Sequence, residues 1–151
     1  MPRTRSILLV ESNRDDELLM VRVLARGSLP CEVRVARDGA EVLAYLFPPG
    51  ESAAAASKGL PGMILLDATV PGLRWTELLR KLRASERTRL IPVIVMASAH
   101  VENAAALSYA HGANSYVFKP VDFSRFAKTL AQIGAYWLKL NEATGQIDSW
   151  S

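Results

Sequence analysis

Residues 63–72 read Met-Ile-Leu-Leu-Asp-Ala-Thr-Val-Pro-Gly. Four apolar side chains in a row, with no polar alternation, predict a strand buried on both faces. Asp67 stands where that strand must end, and Pro71-Gly72 turns the chain away from it. Comparable runs lie on either side. Residues 7–10 (Ile-Leu-Leu-Val) lead into Glu11-Ser12-Asn13, residues 93–96 (Val-Ile-Val-Met) into Ala97-Ser98, and Tyr116-Val117-Phe118 into Lys119-Pro120. Val33 and Val35 alternate with Glu32 and Arg34, the pattern of a half-exposed edge strand.

Between these runs the apolar spacing becomes helical. Asp15, Asp16 and Glu17, acids suited to a helix N-terminus, open a stretch carrying Leu18, Leu19, Val21, Val23 and Leu24 that Gly27 closes. Val42, Leu43 and Leu46 predict a short helix, and Leu78, Leu79 and Leu82 the stripe of another. Residues 101–110 form an Ala-rich helical pattern ended by Gly112. From Asp122 a long helix is expected to bury Phe123, Phe126, Leu130, Ile133 and Trp137. Residues 48–62, bracketed by Pro and Gly, read as a loop. Strands and helices in strict alternation predict an open parallel sheet covered on both faces, with crossovers of one hand. Function in such sheets gathers at the carboxyl ends of the strands. Glu11, Asp67 and Lys119 should therefore converge in one cleft. A carboxylate with an ammonium and a divalent cation beside it can hold a phosphoryl group.

Composition narrows the remaining classes. A chain of 151 residues, half apolar and 22% charged, fits one globular domain. Its single cysteine, Cys31, excludes an intrachain disulfide or an all-cysteine metal site and suits a reducing compartment. Every apolar run falls far short of the ~20 residues of a membrane helix. Only four apolar residues follow Met-Pro-Arg-Thr-Arg-Ser, too few for a signal peptide. A cytoplasmic protein with no membrane contact is expected. The net charge of +3 is concentrated in Arg74, Arg80, Lys81, Arg83, Arg87 and Arg89, opposed by Glu77 and Glu86. Without interleaved aromatics this segment reads as a solvated face, not a nucleic-acid surface. His100 and His111 lack ligand partners at metal-binding spacing, Cys31 has no base placed for it, and Trp75 reads as a surface residue at a helix start.

The run Ile7-Leu8-Leu9-Val10-Glu11-Ser12-Asn13, the segment 64–72, the strand Ile91-Pro92-Val93-Ile94-Val95-Met96 and Tyr116-Val117-Phe118-Lys119-Pro120 together resemble a response-regulator receiver domain. Four motifs in order cover the chain from about Arg5 to about Leu140. The closing helix and the loop before the third strand are similar to single-domain receivers that serve bacterial phytochrome kinases. The resemblance implies a flavodoxin-like (βα)5 doubly wound sheet of strand order 2-1-3-4-5. It implies a receiver domain over residues 1–140, a C-terminal tail over 141–151, and no separate output domain. By position, Asp67 is the implied phosphoacceptor and Lys119 the contact to the phosphoryl oxygens, with a cis bond to Pro120. Glu11 and Asp67, with the backbone carbonyl of Thr69, are the implied Mg²⁺ ligands, and Tyr116 the aromatic rotamer switch. A sensor histidine kinase, in this branch a bacteriophytochrome, is the implied partner, and the chain is a phosphoacceptor with at most slow self-catalysed turnover, not an enzyme.

Two positions depart from the pattern. Ser12 stands where a second acid is usual, a poor exchange around a hard cation. Asp15 or Asp16 would restore the charge, but acids that open a helix more often act only on its dipole. Ala97 stands where a Thr or Ser hydroxyl is usual, and Ser98, the next residue, points the other way along a strand. These departures keep open a degenerate receiver acting as a phosphorylation-independent docking module. A flavodoxin-like nucleotide or flavin enzyme is disfavoured, because no Gly-rich loop follows the first strand. Tyr136, Leu138 and Leu140 add apolar groups off the expected stripe, and Ile147 and Trp150 follow, predicting a homodimer through the last helix and tail.

Overall fold

Unbroken apolar runs supply the inner strands, and the acids, prolines and glycines around them set where each strand stops. The structure, a computed structural model, describes residues 5–27, 31–49, 59–72, 74–98 and 103–141. In chain order they form β1 (Arg5–Val10), α1 (Arg14–Ala25), β2 (Cys31–Ala36), α2 (Gly39–Leu46), β3 (Met63–Asp67), α3 (Trp75–Ala84), β4 (Val93–Ala97), α4 (Ala104–Ala110), β5 (Ser115–Phe118) and α5 (Phe123–Ala135), which Tyr136–Leu140 continue as a π-helical turn. All strand pairs are parallel, in the order β2-β1-β3-β4-β5. This is the flavodoxin-like order expected from the sequence.

Pleating sends successive side chains to opposite faces, so each inner strand feeds two cores. Leu8, Val10, Ile64, Leu66, Val93 and Val95 pack with Leu46 of α2 and Leu79 and Leu82 of α3. Ile7, Leu9, Met63, Leu65, Ile94 and Met96 pack with Met20 and Leu24 of α1 and Phe126 and Leu130 of α5. Both β3 and β4 are buried at every residue, whereas β2 alternates as an edge strand. Side-chain caps start three helices: Asn13 accepts from Asp16, Asp38 from Glu41, and Asp122 from Ser124 and Arg125.

The last helix differs from its expected stripe. Phe123, at the first turn of α5 and short of the sheet, is 58% exposed, and the buried face begins at Phe126. Leu138 is buried although a 3.6-residue period puts it off the core face. The cause is the π turn, whose wider bond from the Asn141 N–H to the Tyr136 carbonyl (2.6 Å) rotates Leu138 inward and leaves Tyr136 and Leu140 exposed. Trp75 is half-buried against the α2–α3 core, not a bare surface residue. Within the described residues α4 begins at Ala104, behind Asn103. The Lys119–Pro120 bond is trans, against the cis bond implied by resemblance. Residues 50–58 of the expected loop, His100 and the tail from 142 onward lie outside the described residues. Among the described residues no helix is long and apolar enough to cross a membrane.

Candidate functional site

Three strands deliver a residue from their carboxyl ends to one edge of the sheet. The Glu11 N–H donates to the Ala36 carbonyl at 3.0 Å, carrying the β1–β2 ladder one residue past β1. Likewise the Lys119 N–H donates to the Ala97 carbonyl at 2.9 Å, extending β5 beside β4. Asp67 is the last residue of β3. Backbone pairing, set by the apolar runs, thus fixes where these three side chains start.

The side chains then meet. Lys119 Nζ lies 2.8 Å from Glu11 Oε1, 2.6 Å from Asp67 Oδ2 and 2.7 Å from Asp16 Oδ2. Three carboxylates take the three N–H donors of one ammonium. Asp67 Oδ1 accepts the Thr69 backbone N–H at 2.7 Å and also the Thr69 hydroxyl. Glu11 Oε2 accepts the Asn13 N–H at 3.1 Å. The Phe126 ring centre lies 5.7 Å from Nζ, which places the cation over an apolar floor. The side chains of Glu11 and Asp67 are only 1% and 4% exposed, so their charges are held away from water.

Burial pushes the Glu11 carboxyl up to about 7, and the negative charge of Asp67 adds to the rise. Burial pulls the Lys119 ammonium down, but hydrogen bonds to Asp16, Asp67 and Glu11 outweigh it and hold the group above the ordinary lysine range. Three carboxylates share one ammonium, so negative charge exceeds positive in the pocket. A hard divalent cation would relieve that imbalance. Among the described residues no three His, Cys, Asp or Glu side chains group as a metal cage. An ion of the Mg²⁺ type needs only one or two carboxylates, completing its shell with water and phosphate oxygens. Glu11 and Asp67, all-oxygen donors in a site short of positive charge, fit such an ion.

Glu11, Asp67 and Lys119 thus meet at one edge of the sheet, and Thr69 reaches Asp67 through its N–H and hydroxyl. Ser12 is exposed and takes no part in the Lys119 cluster. Ala97 is fully buried and brings no hydroxyl, and Ser98 lies past the end of β4, outside the contacts of Asp67 and Lys119. Tyr116 is half-buried against the α2–α3 core, its N–H donating to the Tyr109 hydroxyl at 3.2 Å. Asp15 and Asp16 both stand where an acid can make up for Ser12 or serve only the dipole of α1, and the fold separates them: Asp16 reaches Lys119, while Asp15 is exposed.

Comparison with known proteins identifies the family. Residues 7–131 match the response regulator receiver domain. The response regulator Rcp1 of Synechocystis sp. is 30% identical over 133 residues, covering 88% of each chain, and its Mn²⁺-bound form superposes with a TM-score of 0.83 at 27% identity, covering 93% of this chain and 99% of that one. The phosphorylated cyanobacterial phytochrome response regulator RcpA superposes with a TM-score of 0.85 at 31% identity, covering 95% of this chain and all of that one (100%). The bacteriophytochrome response regulator AtBRR is 40% identical with a TM-score of 0.67, covering 93% of this chain and 100% of its own. With that match spanning most of its length, the chain belongs to the response regulator receiver domain family.

Proposed function

We propose that Asp67 accepts a phosphoryl group from a phosphohistidine of a sensor histidine kinase and that the protein signals by contact with other proteins. The observation that carries this reading is the Lys119 ammonium held 2.6 Å from Asp67 Oδ2 in a buried pocket. In the transfer, the histidine N–P bond breaks as an Asp67 O–P bond forms, and the released imidazole is reprotonated. Oδ2 is the accepting oxygen, because Oδ1 already receives two donors from Thr69 while the new phosphoryl oxygens on Oδ2 would face Lys119. Attack of water on phosphorus returns the carboxylate and releases inorganic phosphate.

Mg²⁺ is the cofactor of this reading, held by Glu11 and Asp67 with the Thr69 backbone carbonyl. When bound it screens the phosphoryl charge. The exposed Ser12 makes its binding weaker than an acid at that position would. Likeness to RcpA and AtBRR supports a bacteriophytochrome as the kinase, and a cytoplasmic location follows from that partnership. Residues 1–140 act as the receiver, and the tail from 141 joins the last helix in a homodimer. A second reading, phosphorylation-independent docking, is favoured by one observation: Ala97 offers no hydroxyl to follow a phosphoryl group.

Incubation with a small acyl-phosphate donor and Mg²⁺, followed by intact-mass spectrometry, separates the two. One added phosphoryl group is expected on the wild-type chain and none on Asp67→Asn. An unlabelled wild type supports docking alone, and a labelled Asp67→Asn overturns the acceptor assignment.

A further inference from the structure

The first turn of α1 carries three consecutive acids, and the structure gives each a different environment. Asp15 is exposed. Glu17 is engaged by Arg37, whose Nε and Nη2 donate to its two carboxylate oxygens at 2.8 and 3.0 Å. Asp16 alone turns to the site, with Oδ2 2.7 Å from Lys119 Nζ and its side chain 21% exposed. It is not a stray contact. The Asp16 N–H donates to Asn13 Oδ1 at 3.0 Å, and the Asn13 N–H donates to Glu11 Oε2 at 3.1 Å. Asn13 thus ties the start of α1 to Glu11, and Lys119 closes the ring from the other side.

We infer that Asp16 is a positioning residue for Lys119 and supplies the outer negative charge that the exposed Ser12 does not. The inference rests on the cation-assisted reading above. An ammonium shared with Asp16 is drawn toward α1 and neutralises Glu11 and Asp67 less completely. Their oxygens then remain attractive to a divalent cation, while Nζ stays within reach of Asp67. With Asp16 removed, Lys119 would settle wholly on the two buried carboxylates and compete with the cation for them. Asp16 acts through its ion pair with Lys119.

Four proteins test this: wild type, Asp16→Asn, Asp15→Asn and the double variant Asp16→Asn with Ser12→Asp. Mg²⁺ affinity is read by calorimetry, and the Lys119 ammonium protons by nitrogen-15 NMR of the metal-free protein in the cold. Asp16→Asn is expected to weaken Mg²⁺ binding on the order of threefold to tenfold and to speed ammonium proton exchange. Asp15→Asn should leave both nearly unchanged, and the double variant should regain the affinity because the acid returns at position 12. Equal affinity in wild type and Asp16→Asn overturns the inference. So does an equal loss in Asp15→Asn, which would reduce the effect to long-range charge. Unchanged proton exchange in Asp16→Asn overturns it as well, even where wild-type Mg²⁺ binding upholds the underlying reading. A wild type that binds no Mg²⁺ overturns the cation-assisted reading, and this inference with it.

Discussion

At the scale of single residues, the site was legible wherever a side chain follows directly from a strand end. Asp67 and Lys119 stand one step from unbroken apolar runs, so the sheet alone brings them to one edge. Asp16 was only half legible: the sequence offers Asp15 and Asp16 equally as substitutes for the acid missing at Ser12, and either has a sufficient local explanation in the first helical turn. Glu11 carries a measurable consequence. Its carboxyl is pushed up to about 7 in the folded chain, against an ordinary value near 4.5. A raised value means the protonated form favours folding. The contribution is complete below the ordinary value and is lost as pH climbs through about 7. Lys119 titrates far above this window and does not affect the sign. The metal-free protein should therefore melt lower at pH 8 than at pH 6, and Glu11→Gln should flatten that difference. Millimolar Mg²⁺ should flatten it too, by supplying the missing positive charge. Equal slopes in wild type and Glu11→Gln, measured by thermal melts, would refute this account.

At the scale of elements, the basic segment around α3 shows how a charge count misreads a helix. The sequence makes it a solvated face, yet Arg83 is half-buried and functions as a brace. Its Nε donates to the Gly112 carbonyl at 2.7 Å, Nη1 to the Ile91 and Arg89 carbonyls at 2.8 and 3.0 Å, and Nη2 to Asn114 Oδ1 at 2.6 Å. Burial lowers the guanidinium below its ordinary value, since neutral acceptors but no carboxylate face it. Gly112, at φ +102°, permits the approach: a Cβ there would sit 2.7 Å from Arg83 Cγ. One side chain thus ties α3 to the approach to β4 and the turn before β5. Arg83→Met should cost about 2–3 kcal/mol in denaturant unfolding, because it leaves inward carbonyls without donors. Arg83→Lys should recover little, since a single ammonium cannot span the fork. Full stability in Arg83→Met would show that water replaces the brace. The end of α5 makes the same point about periodicity. Leu138 was expected off the core face because a 3.6-residue turn was assumed, and nothing in Tyr-Trp-Leu-Lys-Leu signals the wider turn that buries it.

At the scale of the whole molecule, a parallel sheet with helices on both faces was fully legible, because four unbroken apolar runs and their intervening stripes leave no other layer arrangement. The surfaces that remain apolar were less so. Phe118, Val121 and Phe123 are exposed near the β5–α5 connection, and Tyr136 and Leu140 at the end of the last helix. Burying either set against a second copy would remove apolar area from water, and a two-fold arrangement closes with one self-complementary patch. The helix end is the better candidate for a homodimer. Tyr136 and Trp137 stack edge to face with ring centres 5.0 Å apart, a rigid aromatic pair that loses little freedom on association. Ile147 and Trp150 continue the apolar content of the chain beyond it. Light scattering at tens of micromolar, about the range in which a modest interface fills, should report a dimer for the full chain and a monomer for Tyr136→Glu with Leu140→Glu. A chain ending at Asn141 should dimerise more weakly. A dimer that survives the double substitution but dissociates in Val121→Glu would move the interface to the β5–α5 connection, and a full-length monomer at these concentrations would leave signalling to contacts with other proteins alone.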